Sequence, residues 1–296
     1  PGGGVPPAGN ALEARAYLDH KRSDSQDSQA RVASLDGEGD IHLKAGGAMT
    51  LTGTRIGNEQ TRPERILTEA DGPVRVLAAT DSHDASGSNL GGGGEAVFRK
   101  NSAGKGAGLG GHFSNGRISE ADETAQGAVF TARESVELTS QARQEDALHL
   151  QGLKASAAQI KVAAPNGGVL VESASSSERR DNLDLTVGAG YGVTPAAERS
   201  ETKKGIYGRA QFKLDQRDNL LHQNSQLDAD KVGLYSRGDL QLNGVRVNAA
   251  RVEGMVGGDL LLASRQDRVN ALKVEVDAQL SKEQNPQGYL NAVRSF

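Results

Sequence analysis

The sequence has no cysteine and no tryptophan, and only 3% of its 296 residues are aromatic. Without cysteine there are no disulfides and no thiolate metal sites. That suits a cytosolic chain, and equally an exported one that must stay threadable until it has left the cell. A globule of this length would use more large side chains to fill a deep core. A narrow core lined by Val, Leu, Ile and Ala needs few aromatics, and repeat proteins have such a core. No apolar run approaches the roughly 18 residues needed to cross a bilayer as a helix, and no signal-peptide pattern follows Pro1-Gly2-Gly3-Gly4. The 34 basic and 38 acidic residues are mixed along the chain, giving a net charge of −4. With no basic stripe and no acidic tail, nucleic acid is not an expected partner. The sequence stops at Phe296 inside an alternating segment, and we read it as an internal piece of a longer chain.

Against these absences stand 38 glycines and a tandem repeat. The stretch Ile41-His42-Leu43, Gly47, Leu51-Thr52-Gly53 and Arg55-Ile56 aligns without a gap to Val232-Gly233-Leu234, Gly238, Leu242-Asn243-Gly244 and Arg246-Val247. A third copy lies between them, Leu148-His149-Leu150-Gln151-Gly152 followed by Ala157-Ala158-Gln159-Ile160. Each copy closes on a second strand: Val74-Arg75-Val76, Val169-Leu170-Val171 and Leu260-Leu261-Leu262. Units of roughly 95 residues result, with expected boundaries near 28–128, 129–222 and 223–296 and an atypical or partly irregular leader over 1–27. Two segments fit poorly: about four extra residues between Leu138 and Leu148, and residues 57–72, expected to be loops or broken rungs.

Inside a unit, apolar residues alternate in runs of three to five between turn pairs such as Asn166-Gly167 and Gly258-Asp259, which predicts many short strands. Strands this short bury one face only if they are coiled into stacked rungs. The expected fold is therefore all-β, a right-handed parallel β-helix (a solenoid) with β-hairpin excursions. The excursion of the second unit has apolar residues at odd positions from Leu183 to Val193 and at even positions in Ile206, Ala210, Phe212 and Leu214. That is the pattern of an amphipathic hairpin. Residues 81–128 form the corresponding excursion of the first unit, and a third begins at Leu272. The plainer expectation for the hairpin is that its apolar face packs sideways on the β-helix, although the same alternation describes an outer-membrane strand.

The run from Ser225-Gln226-Leu227 through Gly238-Asp239-Leu240-Gln241-Leu242-Asn243-Gly244 to Asn248-Ala249 resembles the haemagglutinin repeat of filamentous-haemagglutinin-type exoproteins. The likeness covers most of residues 28–280. It implies a secreted, surface-displayed adhesive filament exported through an outer-membrane secretion partner. A second implication is the shaft of a contact-dependent inhibition protein acting at the target cell's outer membrane, the only reading in which membrane contact is expected.

Candidate sites are few. Arg237-Gly238-Asp239 is an RGD tripeptide, which in an adhesin implies an integrin-type host receptor; its bland reading is a rung corner. Arg99, Lys100 and Lys105, and Arg179 and Arg180 with Lys203 and Lys204, form two basic clusters able to hold a sulfated glycan, or simply to keep a hairpin soluble. Gly106, Gly108 and Gly111 spell G-x-G-x-x-G but lack the βαβ context of dinucleotide binding. The six histidines have no metal-ligand spacing, and His42 and His149, flanked by inward aliphatic residues, are expected to face outward. Glycoside chemistry needs two carboxyls held about 5–9.5 Å apart, and no such pair is picked out. The expectation is a non-enzymatic protein without cofactor or metal.

Overall fold

The computed structural model describes residues 10–101, 104–194, 203–283 and 289–295. The described residues are strands, turns and bends, without helix. Two parallel sheets face one core, and one long antiparallel sheet extends beside them.

The chain makes six successive passes, each contributing to both parallel sheets. The second-sheet strands are Met49–Thr52, Val74–Leu77, Leu148–Gln151, Val169–Glu172, Leu240–Asn243 and Leu260–Ala263, each paired in parallel with the next. The first-sheet strands follow the same order, from Ile41–Ala45 and Arg65–Ala70 to Ser225–Ser236 and Val245–Val256. Sequence order is therefore spatial order, and the repeat becomes a set of columns. Leu51, Val76, Leu150, Val171, Leu242 and Leu262 form one, and Ile41, Ile66, Val136, Ile160, Val232 and Val252 another. Because side chains alternate across a strand, registering each pass on the last stacks like on like. In the middle passes these columns are fully buried: Val76, Leu150, Val171, Ile66, Val136 and Val232 are 0% exposed. Leu262 and Val252, in the sixth pass, keep 67% and 56% of their surface because no further pass covers them among the described residues. Residues 57–72, where the alignment is poor, are a turn followed by an unbroken strand, Arg65–Ala70, paired on both sides.

Glycine is required at one recurrent corner. Gly53, Gly152 and Gly244, aligned in the three copies, all have positive φ (55°, 64° and 65°), a conformation that side chains disfavour. A Cβ on Gly53 would also lie 2.6 Å from Ala79 Cβ, and one on Gly152 2.7 Å from Ala174 Cβ. Ala79 and Ala174 are the residues at which the long strands leave the parallel sheets. One residue type thus serves both the corner and the exit.

The excursions are hairpins, Ala79–Asn101 with Gly104–Gln126 and Ala174–Thr194 with Lys203–Gln223. They also pair with each other and with Arg268–Glu283, giving one seven-stranded antiparallel sheet. Its first strand is Asn10–Ser28, within the segment expected to be atypical; it pairs along its whole length with residues 82–100. The match of scales explains why the sheet stays continuous. One unit adds two passes to the parallel sheets and two strands to the antiparallel one, and neighbouring strands lie about 4.8 Å apart in both.

Candidate functional site

The register of the antiparallel sheet sorts its residues into two unlike faces. One cross-strand row runs Leu18, Gly92, Phe113, Val187, Ala210, Ala278; the next runs His20, Leu90, Asn115, Leu185, Phe212, Val276. Further toward the hairpin tips, Ala14, Ala96, Leu109, Tyr191 and Ile206 form another row of the same face. The opposite face carries charge, with cross-strand ion pairs Arg15–Glu95 at 3.7 Å, Arg180–Glu120 at 3.0 Å and Lys213–Glu275 at 3.4 Å, and a bidentate Arg209–Asp277 pair. Its glycines make room for bulky neighbours. A Cβ on Gly93 would lie 2.5 Å from the Tyr17 ring, and one on Gly190 2.2 Å from that of Tyr207. On the apolar face, Gly92, Gly94 and Gly208 would meet only backbone, at 3.5 Å or more.

The expected sideways packing of the hairpin on the core does not occur among the described residues. None of the residues in the buried aliphatic cluster, nor those packed against it, comes from the long strands. Phe98, Leu109, Phe113, Tyr191, Ile206 and Leu280 are 45–62% exposed. The reason is topological. Each hairpin satisfies its backbone edges against the neighbouring hairpins, so the sheet grows sideways and leaves its apolar face uncovered.

The RGD tripeptide lies at the corner before Leu240–Asn243. The Arg237 and Gly238 amides donate to Ala164 O (3.1 Å) and Gly167 O (2.9 Å) of the pass before. Gly238 O accepts from the Gly258 amide of the pass after (3.0 Å), and Asp239 Oδ1 accepts from the Asp259 amide (2.8 Å). Arg237 is exposed, Gly238 and Asp239 half-buried. Gly258-Asp259 stacks directly on Gly238-Asp239. Gly39-Asp40 belongs to a different corner, where Asp40 pairs with Arg65 and the guanidinium hydrogen bond holds its carboxyl below the ordinary range.

The basic clusters are spread along the long strands. Lys100 and Lys105 are register partners near the tip of the first hairpin and are exposed; the side chain of Arg99 lies outside the described ones. Arg179 and Arg180 pair with Asp218 and Arg217 toward the base of the second hairpin, whereas Lys203 and Lys204, whose side chains are likewise outside the described ones, pair with Thr194 and Val193 near its tip. The length of the hairpin therefore separates Arg179 and Arg180 from Lys203 and Lys204. Gly106, Gly108 and Gly111 lie in the extended strand Gly104–Gln126, with no helix after them. His42 and His149 point away from the core; His149 Nε2 lies 2.9 Å from Glu172 Oε1. No group of three metal-ligating side chains exists among the described residues.

Two features were missed from the sequence. Strand Asn10–Ser28 carried its signal in Leu12, Ala14, Ala16 and Leu18 at alternate positions. The other is a groove of about 630 Å³ on the outer side of the first parallel sheet, around Tyr235 and Glu253. Hydrogen bonds from Lys231 and then Tyr235 hold the Glu253 carboxyl below its usual range, and the bond to Glu253 raises the Tyr235 phenol.

Comparison with known proteins identifies the repeat. The family described as Hemagglutinin repeat matches residues 16–184 and 141–278. A protein named Hemolysin from Serratia marcescens is 32% identical over 279 residues, 89% of this chain, and one of the same name from Proteus mirabilis is 27% identical over 272 residues, 88% of it. The chain spans 17% of the length of each. No solved structure matches. A threefold repeat that stacks in register, matched by the family over nearly its whole length, places the chain in the haemagglutinin-repeat family of secreted, two-partner-secretion exoproteins.

Proposed function

We propose that the two parallel sheets are faces of a right-handed parallel β-helix, and that this shaft carries the hairpin sheet to the surface of a target cell. In this reading an outer-membrane secretion partner exports the full chain, and the apolar face of the sheet meets membrane lipid. The observation that carries the reading is the uncovered apolar face, backed by a charged one. From the row of Leu12 to the row of Phe212 the face runs eight residues, about 27 Å at the usual strand rise. A bilayer's hydrocarbon core is about 30 Å thick. Amphipathic antiparallel strands are one of the few structures compatible with lipid once their edges are closed, and the five inner strands of this sheet are paired on both sides. Both relatives carry the name haemolysin, which accords with action on a cell membrane.

The test is flotation of the purified chain with vesicles of phosphatidylcholine and phosphatidylglycerol. The chain should float with the lipid, and Leu185→Asp with Phe212→Asp should abolish this while leaving the unfolding transition unchanged. A chain that stays at the bottom of the gradient, or a double variant that floats equally well, refutes lipid contact.

Attachment to host cells through a receptor is the second reading. It is supported by exposed Arg237 at the RGD corner and opposed by the hydrogen bonds that hold that corner between two passes. Loss of epithelial-cell attachment in Asp239→Glu would support it; unchanged attachment would remove the tripeptide from consideration. Sulfated-glycan binding at the two basic clusters belongs to the same reading and would appear as retention on heparin.

A further inference from the structure

The outer groove is independent of the hairpin sheet. It crosses four successive passes, contributed by Ser135, Glu137, Thr139 and Gln141, then Gln159 and Lys161, then Lys231, Gly233 and Tyr235, and finally Glu253. At about 4.8 Å per pass its length is roughly 14 Å.

Four observations indicate what it would hold. First, Tyr235 is the only aromatic residue on the outward side of the parallel sheets among the described residues; Phe130 is wholly buried and the other aromatics lie in the long strands. Second, the ring is given its place. It lies over Gly233, where a Cβ would come within 2.7 Å of ring carbon Cε2 and 3.1 Å of the hydroxyl. The hydroxyl is fixed by donating to Glu253 Oε1 at 2.8 Å. Third, the groove wall presents an exposed Gln159 amide and a half-buried Thr139 hydroxyl. Fourth, both lysines are already neutralised, Lys161 by Glu137 at 3.7 Å and Lys231 by Glu253 at 2.7 Å.

An oriented ring beside planar amides and hydroxyls matches a molecule with one apolar face and a rim of hydroxyls. Both lysines face a carboxylate, so neither offers an unopposed positive charge to a sulfated or phosphorylated ligand. Ile160, Ala163 and Pro165 complete the lining and extend the apolar surface beside the Tyr235 ring. We infer that this groove is a binding site for a short neutral oligosaccharide, stacked on Tyr235 and hydrogen-bonded by Gln159, Thr139 and Glu137.

The test is isothermal titration and saturation-transfer NMR on the whole chain, with lactose, maltotriose and triacetylchitotriose as neutral probes and a heparin octasaccharide as the anionic one. At least one neutral probe should bind. Its affinity should fall by roughly tenfold or more in Tyr235→Ala and in Gln159→Ala, remain close to wild type in Tyr235→Phe, and be unaffected by Phe113→Ala on the hairpin sheet. Thermal unfolding of each variant is recorded, so that loss of fold is separated from loss of binding. Absence of binding to every neutral probe, binding of heparin alone, or full affinity in a folded Tyr235→Ala would each overturn the inference.

Discussion

Substituting Gly152 by alanine examines whether this glycine serves both the corner and the hairpin exit. Two costs combine. Gly152 has φ +64°, and placing an L-residue in that region costs about 1–2 kcal/mol. The new Cβ would also stand 2.7 Å from Ala174 Cβ. Ala174 is 1% exposed, so the clash cannot be relieved toward solvent, and overpacking of this kind costs about 1–3 kcal/mol. Gly152→Ala should therefore lose roughly 2–5 kcal/mol. The control is Gly39→Ala, a turn glycine without positive φ and with nothing within 4 Å of its Cβ, which should change stability by no more than about 0.5 kcal/mol. The assay is urea unfolding followed by circular dichroism, with protease sensitivity of residues 174–223 as a second probe because long repeat arrays need not unfold in one step. Equal effects of the two substitutions would refute the reasoning.

Leu150→Ala should cost about 2–5 kcal/mol, whereas Leu262→Ala, in the same column but 67% exposed, should cost under about 1 kcal/mol; chemical denaturation compares them, and similar losses would contradict the stacked-column account. Excising residues 175–222 joins Ala174 to Gln223, which are register partners. The core should keep its unfolding transition while strands Gly104–Gln126 and Arg268–Glu283, each deprived of one neighbour, become sensitive to trypsin; collapse of the core as well would show that the sheet supports it. His83 is hydrogen-bonded to Asp27 of the first strand, and this bond chiefly, with the charge of Asp27 next, raises its pKa. A raised folded-state value gives a contribution that is complete below the ordinary histidine pKa and is lost as pH rises through the raised one. Hydrogen exchange of residues 10–28 should accordingly quicken, relative to residues 104–126, between pH 5.5 and 8.5, and His83→Gln should remove the difference; a difference that survives the substitution would assign the effect elsewhere.

The sequence by itself determined the strands, their apolar sides and the period of the repeat. Alternation in Ile41-His42-Leu43 or Leu148-His149-Leu150 states which side chains are inward, since a strand has only two faces, and glycines 53, 152 and 244 marked the corner because only glycine takes positive φ there without strain. The family was legible for the same reason, since each position of a stacked repeat answers to the same neighbours. Whether Leu185 and Phe212 cover the core or face outward was not legible, because alternation fixes the two sides of a strand without saying what lies against either. Only the pairing of each hairpin with strands far away in sequence decided it. The Tyr235 groove was hidden likewise: its residues come from four passes, Ser135 to Glu253, brought together by the step from one pass to the next. What a residue does within its strand is local physics; which strands become neighbours, and so which surface stays bare, was decided by the tertiary structure.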